Sequence, residues 1–394
     1  MNSRTYYTHL ESLRGLAALM VAVIHSYIAL SFSGIDKLWT LPLWSVEASD
    51  ALFAKLILIF SNGTSAVTIF FVLSGVVLGL SLDADAHSFP KKYTAFLIKR
   101  IFRIYPAHLF VLLGICVLLF FSGWLNPGTF ERASVWYNWY YRRPPDAHAV
   151  LENALLFQWF LNPVTWTLAV EMAVALVFPI LHAASRLPYR PAIVQSAILI
   201  VLIATPALFP QNKVLLPHLY KFYVGLLLPV YGITIAEWFT KHLAFVRLSS
   251  GIPFLLALAA LLIEPELVRM EAIDPISQTI GAALLIYLLT HRNAGWLFHL
   301  HAIKKLGQYS YSFYLLHFPI LWFGYYMLHS LPAGEALILR YALPVSTAMC
   351  LITIAIAYLF AALNYRLIEK PFILIGRHLA KRVSDSAGNS PRRV

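Results

Sequence analysis

Long apolar stretches dominate the chain, and polar residues collect in the shorter segments between them. A helix needs about 20 apolar residues to cross the hydrocarbon core of a bilayer. This pattern predicts ten membrane-spanning helices, near residues 12–33, 63–82, 102–123, 165–184, 191–209, 219–239, 251–264, 275–290, 310–329 and 337–363. The segment 51–60 is too short to cross, which indicates an interfacial or re-entrant piece. The expected fold class is therefore all-α, a polytopic membrane helix bundle.

The composition agrees with a membrane protein, because 60% of the 394 residues are hydrophobic and only 12% are charged. Helices in a bilayer pack laterally into one body, so we expect a single membrane domain over residues 1–373. The tail, 374–394, is polar and is expected to be disordered and cytoplasmic. Neither the histidines nor the two cysteines show ligand spacing, so no metal site is predicted.

The net charge of +12 comes from Lys and Arg residues that lie beside the apolar segments. Such placement is typical of membrane orientation and argues against nucleic-acid binding. Counting these residues on alternate sides of the ten predicted spans concentrates them on the side that holds both termini. Both termini are therefore expected in the cytoplasm.

Arg14 and His25 lie eleven residues apart in the first apolar stretch. At about 100° and 1.5 Å per residue, they share one helix stripe and are separated by roughly 16 Å. A neutral imidazole near the middle of the bilayer could take a proton from a hydroxyl. Glu171 is the best candidate for the carboxylate that orients His25, because a carboxylate in a membrane needs a partner. The alternative is that both side chains only hold helices together.

Arg100 and Arg103 follow at a spacing of three in the segment KRIFRIYP, so they occupy one helix face. Together with Arg14 they would place three guanidinium groups at the cytoplasmic end of the bundle. Such groups bind phosphates bidentately, which predicts a polyanion site. The alternative is that these charges only set the topology or bind lipid headgroups.

Polar residues elsewhere suggest supporting roles. Ser310, Tyr314 and His317 share one face of the predicted helix 310–329 and could line a tunnel, or form a polar seam between helices. Trp166 is a further candidate for substrate or tunnel contact. The external segment 124–164 contains SVWYNWYYRRPPDAH, whose aromatic rings could stack on a sugar or form an ordinary interfacial belt.

Six ordered motifs resemble those of the acyltransferase-3 family of integral-membrane O-acyltransferases. They are LESLRGLAALMVAVIHS with Arg14 and His25, FFVLSG at 70–75, KRIFRIYP at 99–106, WTLAVE at 166–171, GQYSYSFYLLHFP at 307–319 and EKPF at 369–372. Each motif alone is weak, but their order and their polar residues together are specific. Nothing resembling the soluble hydrolase-like domain of some family members follows the last predicted helix.

The resemblance implies a membrane O-acyltransferase in the bacterial cytoplasmic (inner) membrane. Acyl-CoA, most often acetyl-CoA, would bind from the cytoplasm with its phosphates on Arg14, Arg100 and Arg103. His25 would act as general base or relay the acyl group, and Glu171 would orient it. The partners implied are a glycan or lipid-linked saccharide acceptor, besides the membrane lipids themselves.

Two other functions stay open on the residues alone. A polytopic transporter or exporter could use Arg14, His25 and Glu171 as a proton or substrate pathway, and it would produce solute flux without new ester bonds. A sensor or scaffold would use the same buried groups only for packing, and it would tolerate His25→Gln. The ordered motifs favour the acyltransferase.

Overall fold

The computed structural model describes residues 3–85, 87–122, 129–142, 144–212, 214–242, 251–262, 274–291, 298 and 300–385. Thirteen α-helices form this part of the chain. They are α1 (Ser3–Ile28), α2 (Ser49–Phe60), α3 (Gly63–Asp83), α4 (Phe89–Phe121), α5 (Ala147–Ala154), α6 (Trp166–Ser185), α7 (Pro191–Leu208), α8 (Leu216–His242), α9 (Gly251–Leu262), α10 (Asp274–His291), α11 (His301–Ser330), α12 (Gly334–Asn364) and α13 (Lys370–Asp385). The predicted all-α bundle is confirmed.

Seven helical stretches among the described residues are long and apolar enough to cross a membrane. They are His9–Ile28, Ser49–Asp83, Phe89–Phe121, Pro163–Ser185, Pro191–Leu208, Leu216–His242 and Gly334–Asp385. The other three predicted spans are also helical, as α9, α10 and α11. Helix α9 is shorter than a full span, and α11 carries many polar residues. The cytoplasmic orientation of the termini stays a prediction.

The ends of two predicted elements differ from the structure. Helix α4 begins at Phe89 rather than near residue 102, with Pro90 in its first turn, where the absent N–H breaks no helical hydrogen bond. The predicted disordered tail is wrong over its first part, because α13 continues to Asp385. This helix packs against α4, where Gly376 lies directly on the side chain of Phe102. Residues 386–394 lie outside the described part of the chain.

Helix α1 packs along α11, in the most extensive contact between two helices of the described residues. The two backbones touch at Gly15 and Gly307, where a Cβ atom on Gly15 would lie 2.6 Å from the nitrogen of Gly307. Small residues permit this approach, as is usual between membrane helices. The contact fixes the height of α1 relative to α11, and so the positions of the polar side chains that follow on both helices.

A short π-helical segment, Tyr365–Glu369, joins α12 to α13. Such segments interrupt the regular α-helical hydrogen-bond ladder and frequently occur at functional sites. Here it turns Glu369 into the protein interior, where this side chain is almost fully buried. The segment also directs α13 back along α4.

Candidate active site

A cavity of about 260 Å³ lies between α1, α3, α4, α6, α11 and α13. Five basic side chains and one acidic side chain are the charged groups of its lining: Arg14, Lys99, Arg100, Arg103, Arg377 and Glu171. The lining is therefore strongly positive. The cavity brings together the three predicted phosphate-binding arginines, and it adds Lys99 and Arg377, to which the sequence analysis gave no role.

Arg103 is fixed by a buried network. Its guanidinium donates to the carboxylate of Glu369, and Ser312 Oγ donates to the other Glu369 oxygen at 2.6 Å. Asn364 Nδ2 in turn donates to Ser312 Oγ at 3.0 Å. The Arg103 guanidinium also lies over the ring of Tyr311, 5.3 Å from its centroid. Breaking such a buried pair is costly, so Arg103 has a fixed direction before any ligand binds.

Glu171 pairs with Arg100 and not with His25. The Arg100 Nη2 atom lies 2.5 Å from Glu171 Oε2, and both side chains are largely buried. The predicted contact of Glu171 with His25 is therefore wrong. The reason is that α4 lies beside α6 and presents a guanidinium to the carboxylate at the level of the cavity, whereas His25 lies about 16 Å farther along α1 than Arg14.

Two polar atoms of the cavity lining have no hydrogen-bond partner among the described residues. They are Arg100 Nε and Ser74 Oγ, and both are buried. Buried donors in native proteins nearly always have a partner, which is a ligand or a water molecule where protein groups are lacking. Arg14 likewise makes no ion pair with a described residue. The cavity thus has unused donors and positive charge, as a polyanionic ligand requires.

The catalytic candidate His25 bonds to His317. Its Nδ1 lies 2.9 Å from His317 Nε2, and the two rings are stacked with centroids 5.2 Å apart. His317 is fully buried on α11, while His25 is only partly buried. The predicted polar face of α11 therefore leads from the cavity, at Ser310 and Tyr314, to this pair of histidines.

Tyr314 lies at the inner end of the cavity, directly before the histidines. Its ring centroid is 5.7 Å from that of His317, and its hydroxyl accepts from Thr167 Oγ1 at 3.2 Å. Phe70 packs edge-on against the same ring at 5.4 Å. Trp166, in contrast, does not line the cavity and packs on Phe71 and His218. The structure therefore groups Ser310, Tyr314 and His317 but leaves Trp166 outside.

Aromatic residues of the segment between α4 and α6 cover His25. Trp136 stacks on the His25 ring with centroids 5.0 Å apart, and Phe318 packs edge-on against both rings. Tyr140 packs against Trp136 and Phe318. Burial raises the pKa of Tyr140 to about 12, so its hydroxyl remains protonated at neutral pH. Part of the predicted aromatic segment thus lies at the catalytic candidate itself.

Comparison with known proteins identifies the family. A family model described as an acyltransferase domain matches residues 7–362, nearly the whole chain. The chain belongs to the acyltransferase-3 family. Acyltransferase MdmB of Streptomyces mycarofaciens is 29% identical over 349 residues, which are 80% of this chain and 82% of that protein. No solved structure shows a significant match.

This acyltransferase is an enzyme of the multi-pass membrane type, as its apolar helices and its family indicate. The sequence missed three residues of its candidate site. Lys99 is the first residue of the motif KRIFRIYP, but only the two arginines of that motif were given a role. Arg377 lies on a helix that was expected to be disordered, and no signal separated Trp136 from the many aromatic residues around it. The amphipathic spacing of α13 was the one signal that could have revealed Arg377.

Proposed function

We propose that the protein transfers an acyl group, most simply acetyl, from cytoplasmic acyl-CoA to a hydroxyl of an extracytoplasmic or lipid-linked glycan. The observation that carries the proposal is the positive cavity, whose lining includes Ser310 and Tyr314. The Tyr314 ring contacts His317, and His317 is hydrogen-bonded to His25. The membrane would be the bacterial cytoplasmic membrane, with the cavity mouth towards the cytoplasm.

The donor suits the cavity because CoA carries several phosphate charges at one end and a neutral acyl arm at the other. The phosphates would bind among Arg14, Lys99, Arg100, Arg103 and Arg377, near the end of the bundle where α13 packs. Guanidinium groups bind phosphates through charge-assisted, bidentate hydrogen bonds. The neutral arm loses little on entering the apolar interior, so it can extend past Tyr314 towards His25.

The reaction at His25 is proposed as general base catalysis. His25 Nε2 takes the proton of the acceptor hydroxyl while that oxygen attacks the thioester carbonyl carbon. The C–S bond then breaks, and the CoA thiolate leaves and takes the proton back from the imidazolium. The products are the acyl ester and free CoA. A transient acyl-imidazole on His25 would give the same products in two steps.

The proposed reaction is tested in membrane vesicles supplied with acetyl-CoA that carries a labelled acetyl group. Wild-type vesicles are expected to place the label in envelope glycans as a base-labile ester, and His25→Ala vesicles with equal protein are expected to place none. His182→Ala is the matched control. His182 also lies in a helix long enough to cross the membrane, but it pairs with Asp83 and not with His25 or His317.

Each result assigns the failure to one part of the proposal. A wild type that releases CoA but labels no glycan would rule out the glycan acceptor and keep the donor. Equal labelling by wild type and His25→Ala would rule out the role of His25. Movement of a solute across the membrane without any new ester would favour the transporter instead.

A further inference from the structure

Aromatic side chains pack on the His25 ring. Trp136 covers the His25 ring at 5.0 Å with an angle of 28° between the ring planes. Phe318 stands edge-on to both rings, at 6.3 Å from His25 and 5.6 Å from Trp136. Tyr140 completes the group by packing on Trp136 and Phe318, at 5.6 and 5.0 Å. We name Trp136, Tyr140 and Phe318 the aromatic cap.

We call the part of the chain that carries Trp136 and Tyr140 the cap segment. Hydrogen bonds fix the start of this segment to the end of α1 just beyond His25. Ser134 Oγ donates to Ile28 O at 2.5 Å, and the Ser134 amide donates to Ala29 O at 3.0 Å. The Ser31 amide donates to Arg132 O at 3.0 Å. The cap therefore approaches His25 from the end of α1 that is remote from the basic cavity.

A second set of hydrogen bonds fixes the cap segment to α11. The Tyr137 hydroxyl donates to Trp322 O at 2.8 Å, and the Trp322 indole donates to Tyr137 O at 3.2 Å. The two rings are also stacked, with centroids 5.2 Å apart. The hydrogen bonds of Ser134 and Tyr137 hold the backbone on both sides of Trp136. The Trp136 ring therefore has a fixed position beside His25.

We propose that Trp136 is the end wall of the acyl pocket and restricts the donor to short acyl groups such as acetyl and propionyl. This inference rests on the proposed function. A donor whose phosphates lie among the arginines and whose thioester lies at His25 points its acyl group onward, towards the cap. Each methylene beyond the thioester then approaches the Trp136 ring, and closely packed interiors accept extra methylenes only at a cost.

The experiment compares acetyl-, propionyl-, butyryl- and hexanoyl-CoA as donors in membrane vesicles that contain the native acceptor. The readout is the rate of CoA thiol release, and each longer donor is expressed as a ratio to acetyl-CoA. One methylene in an enzyme pocket changes such a ratio by about tenfold or more. The wild type is therefore expected to use hexanoyl-CoA poorly.

Replacing Trp136 by a smaller residue should allow donors with longer acyl groups to react. Trp136→Ala is expected to raise the ratio of hexanoyl- to acetyl-CoA by about tenfold or more. Trp136→Phe keeps an aromatic ring on His25 and is expected to admit butyryl-CoA while still rejecting hexanoyl-CoA. Trp139→Ala is the matched control, because Trp139 lies in the same segment but is 68% exposed, and its ratios should equal those of the wild type.

The ratio of longer donors to acetyl-CoA tests the role of Trp136 separately from the proposal that acyl-CoA is the donor. Unchanged ratios in both Trp136 variants, with thiol release still measurable, would overturn the wall and keep the proposed function. Equal shifts in the Trp136 and Trp139 variants would also overturn it. If the wild type released thiol from no acyl-CoA, the proposed donor would fail, and the inference that depends on it would fall as well.

Discussion

His25 and His317 form a hydrogen-bonded pair between α1 and α11, with 2.9 Å between Nδ1 of the first and Nε2 of the second. No carboxylate contacts His25 among the described residues, so a second histidine takes the place that Glu171 was expected to fill. A neutral imidazole has one N–H and one bare nitrogen. When His317 Nε2 accepts, His25 Nδ1 carries the hydrogen, and His25 Nε2 is left with its lone pair free to act as a base.

His317 is therefore predicted to position His25 through its role as an acceptor. His317→Ala removes the acceptor and is expected to lower kcat by about tenfold to a hundredfold, the range typical of lost support for a catalytic base. His317→Gln can offer an amide oxygen to His25 Nδ1 and should keep more activity than His317→Ala. The measurement is kcat for CoA thiol release at saturating acetyl-CoA.

The donor KM serves as the internal control for these variants, because His317 does not line the basic cavity. It should stay near the wild-type value in both. A result in which His317→Gln is as inactive as His317→Ala, with equal amounts of folded protein, would contradict the acceptor role.

Glu171 is predicted to affect donor binding more than chemistry. Glu171→Gln leaves the Arg100 guanidinium without the carboxylate that fixes its direction, so the donor must order this side chain when it binds. Ordering one long side chain costs about 0.5–1.5 kcal/mol, which corresponds to roughly twofold to tenfold in KM. We expect a higher KM for acetyl-CoA and a smaller change in kcat, which steady-state kinetics would measure.

Glu335→Gln is the control for this substitution. Glu335 also pairs with a basic side chain, His329, but on α12 and away from the cavity. The KM of the Glu335→Gln variant for acetyl-CoA should equal that of the wild type. A fall in kcat without a rise in KM for Glu171→Gln would instead return Glu171 to a role in the chemical step.

The sequence predicted the helices better than it predicted which side chains meet. Uninterrupted apolar runs such as 63–82 correspond closely to α3, because a spanning helix needs little beyond length and hydropathy. Helix α13 was missed because its apolar residues are spaced for one buried face rather than for a span, and that face packs against α4.

Partners across the bundle could not be read from spacing. Spacing placed Arg100 and Arg103 on one face of α4 and Arg14 on the stripe of His25, because both relations lie within a single helix. The pairs Arg100–Glu171 and His25–His317 instead depend on which helices are neighbours and at what height. That information resides in close contacts such as Gly15 against Gly307, which no local pattern reveals.

Arg377 is predicted to bind the donor through its charge. Arg377→Ala removes one of the five basic side chains of the cavity and should raise the KM for acetyl-CoA by about threefold to tenfold at low salt. The difference from wild type should shrink as ionic strength rises, because the mouth of the cavity is exposed to solvent and its charges are screened. Steady-state kinetics at two salt concentrations would show both effects.

Arg382→Ala is the matched control for Arg377→Ala, since Arg382 lies on α13 as well but does not line the cavity. The same charge is lost from the same helix, so a general effect on membrane association would appear in both variants. Equal KM values for the two variants would contradict a direct contact between Arg377 and the donor.

The contact of Gly15 with Gly307 is predicted to be essential for stability. A Cβ atom on Gly15 would lie 2.6 Å from a backbone atom of Gly307, which no flexible side chain can relieve, so Gly15→Ala must push α1 away from α11. We expect a cost of about 1–3 kcal/mol, typical of overpacking, and a lower unfolding midpoint in detergent.

Gly114→Ala is the control, because nothing lies within 4 Å of a Cβ atom at that position. It should unfold at or above the wild-type temperature, since alanine also favours the helix. If Gly15→Ala were as stable as Gly114→Ala, the close packing of α1 on α11 would be contradicted, and with it the fixed height at which His25 meets His317.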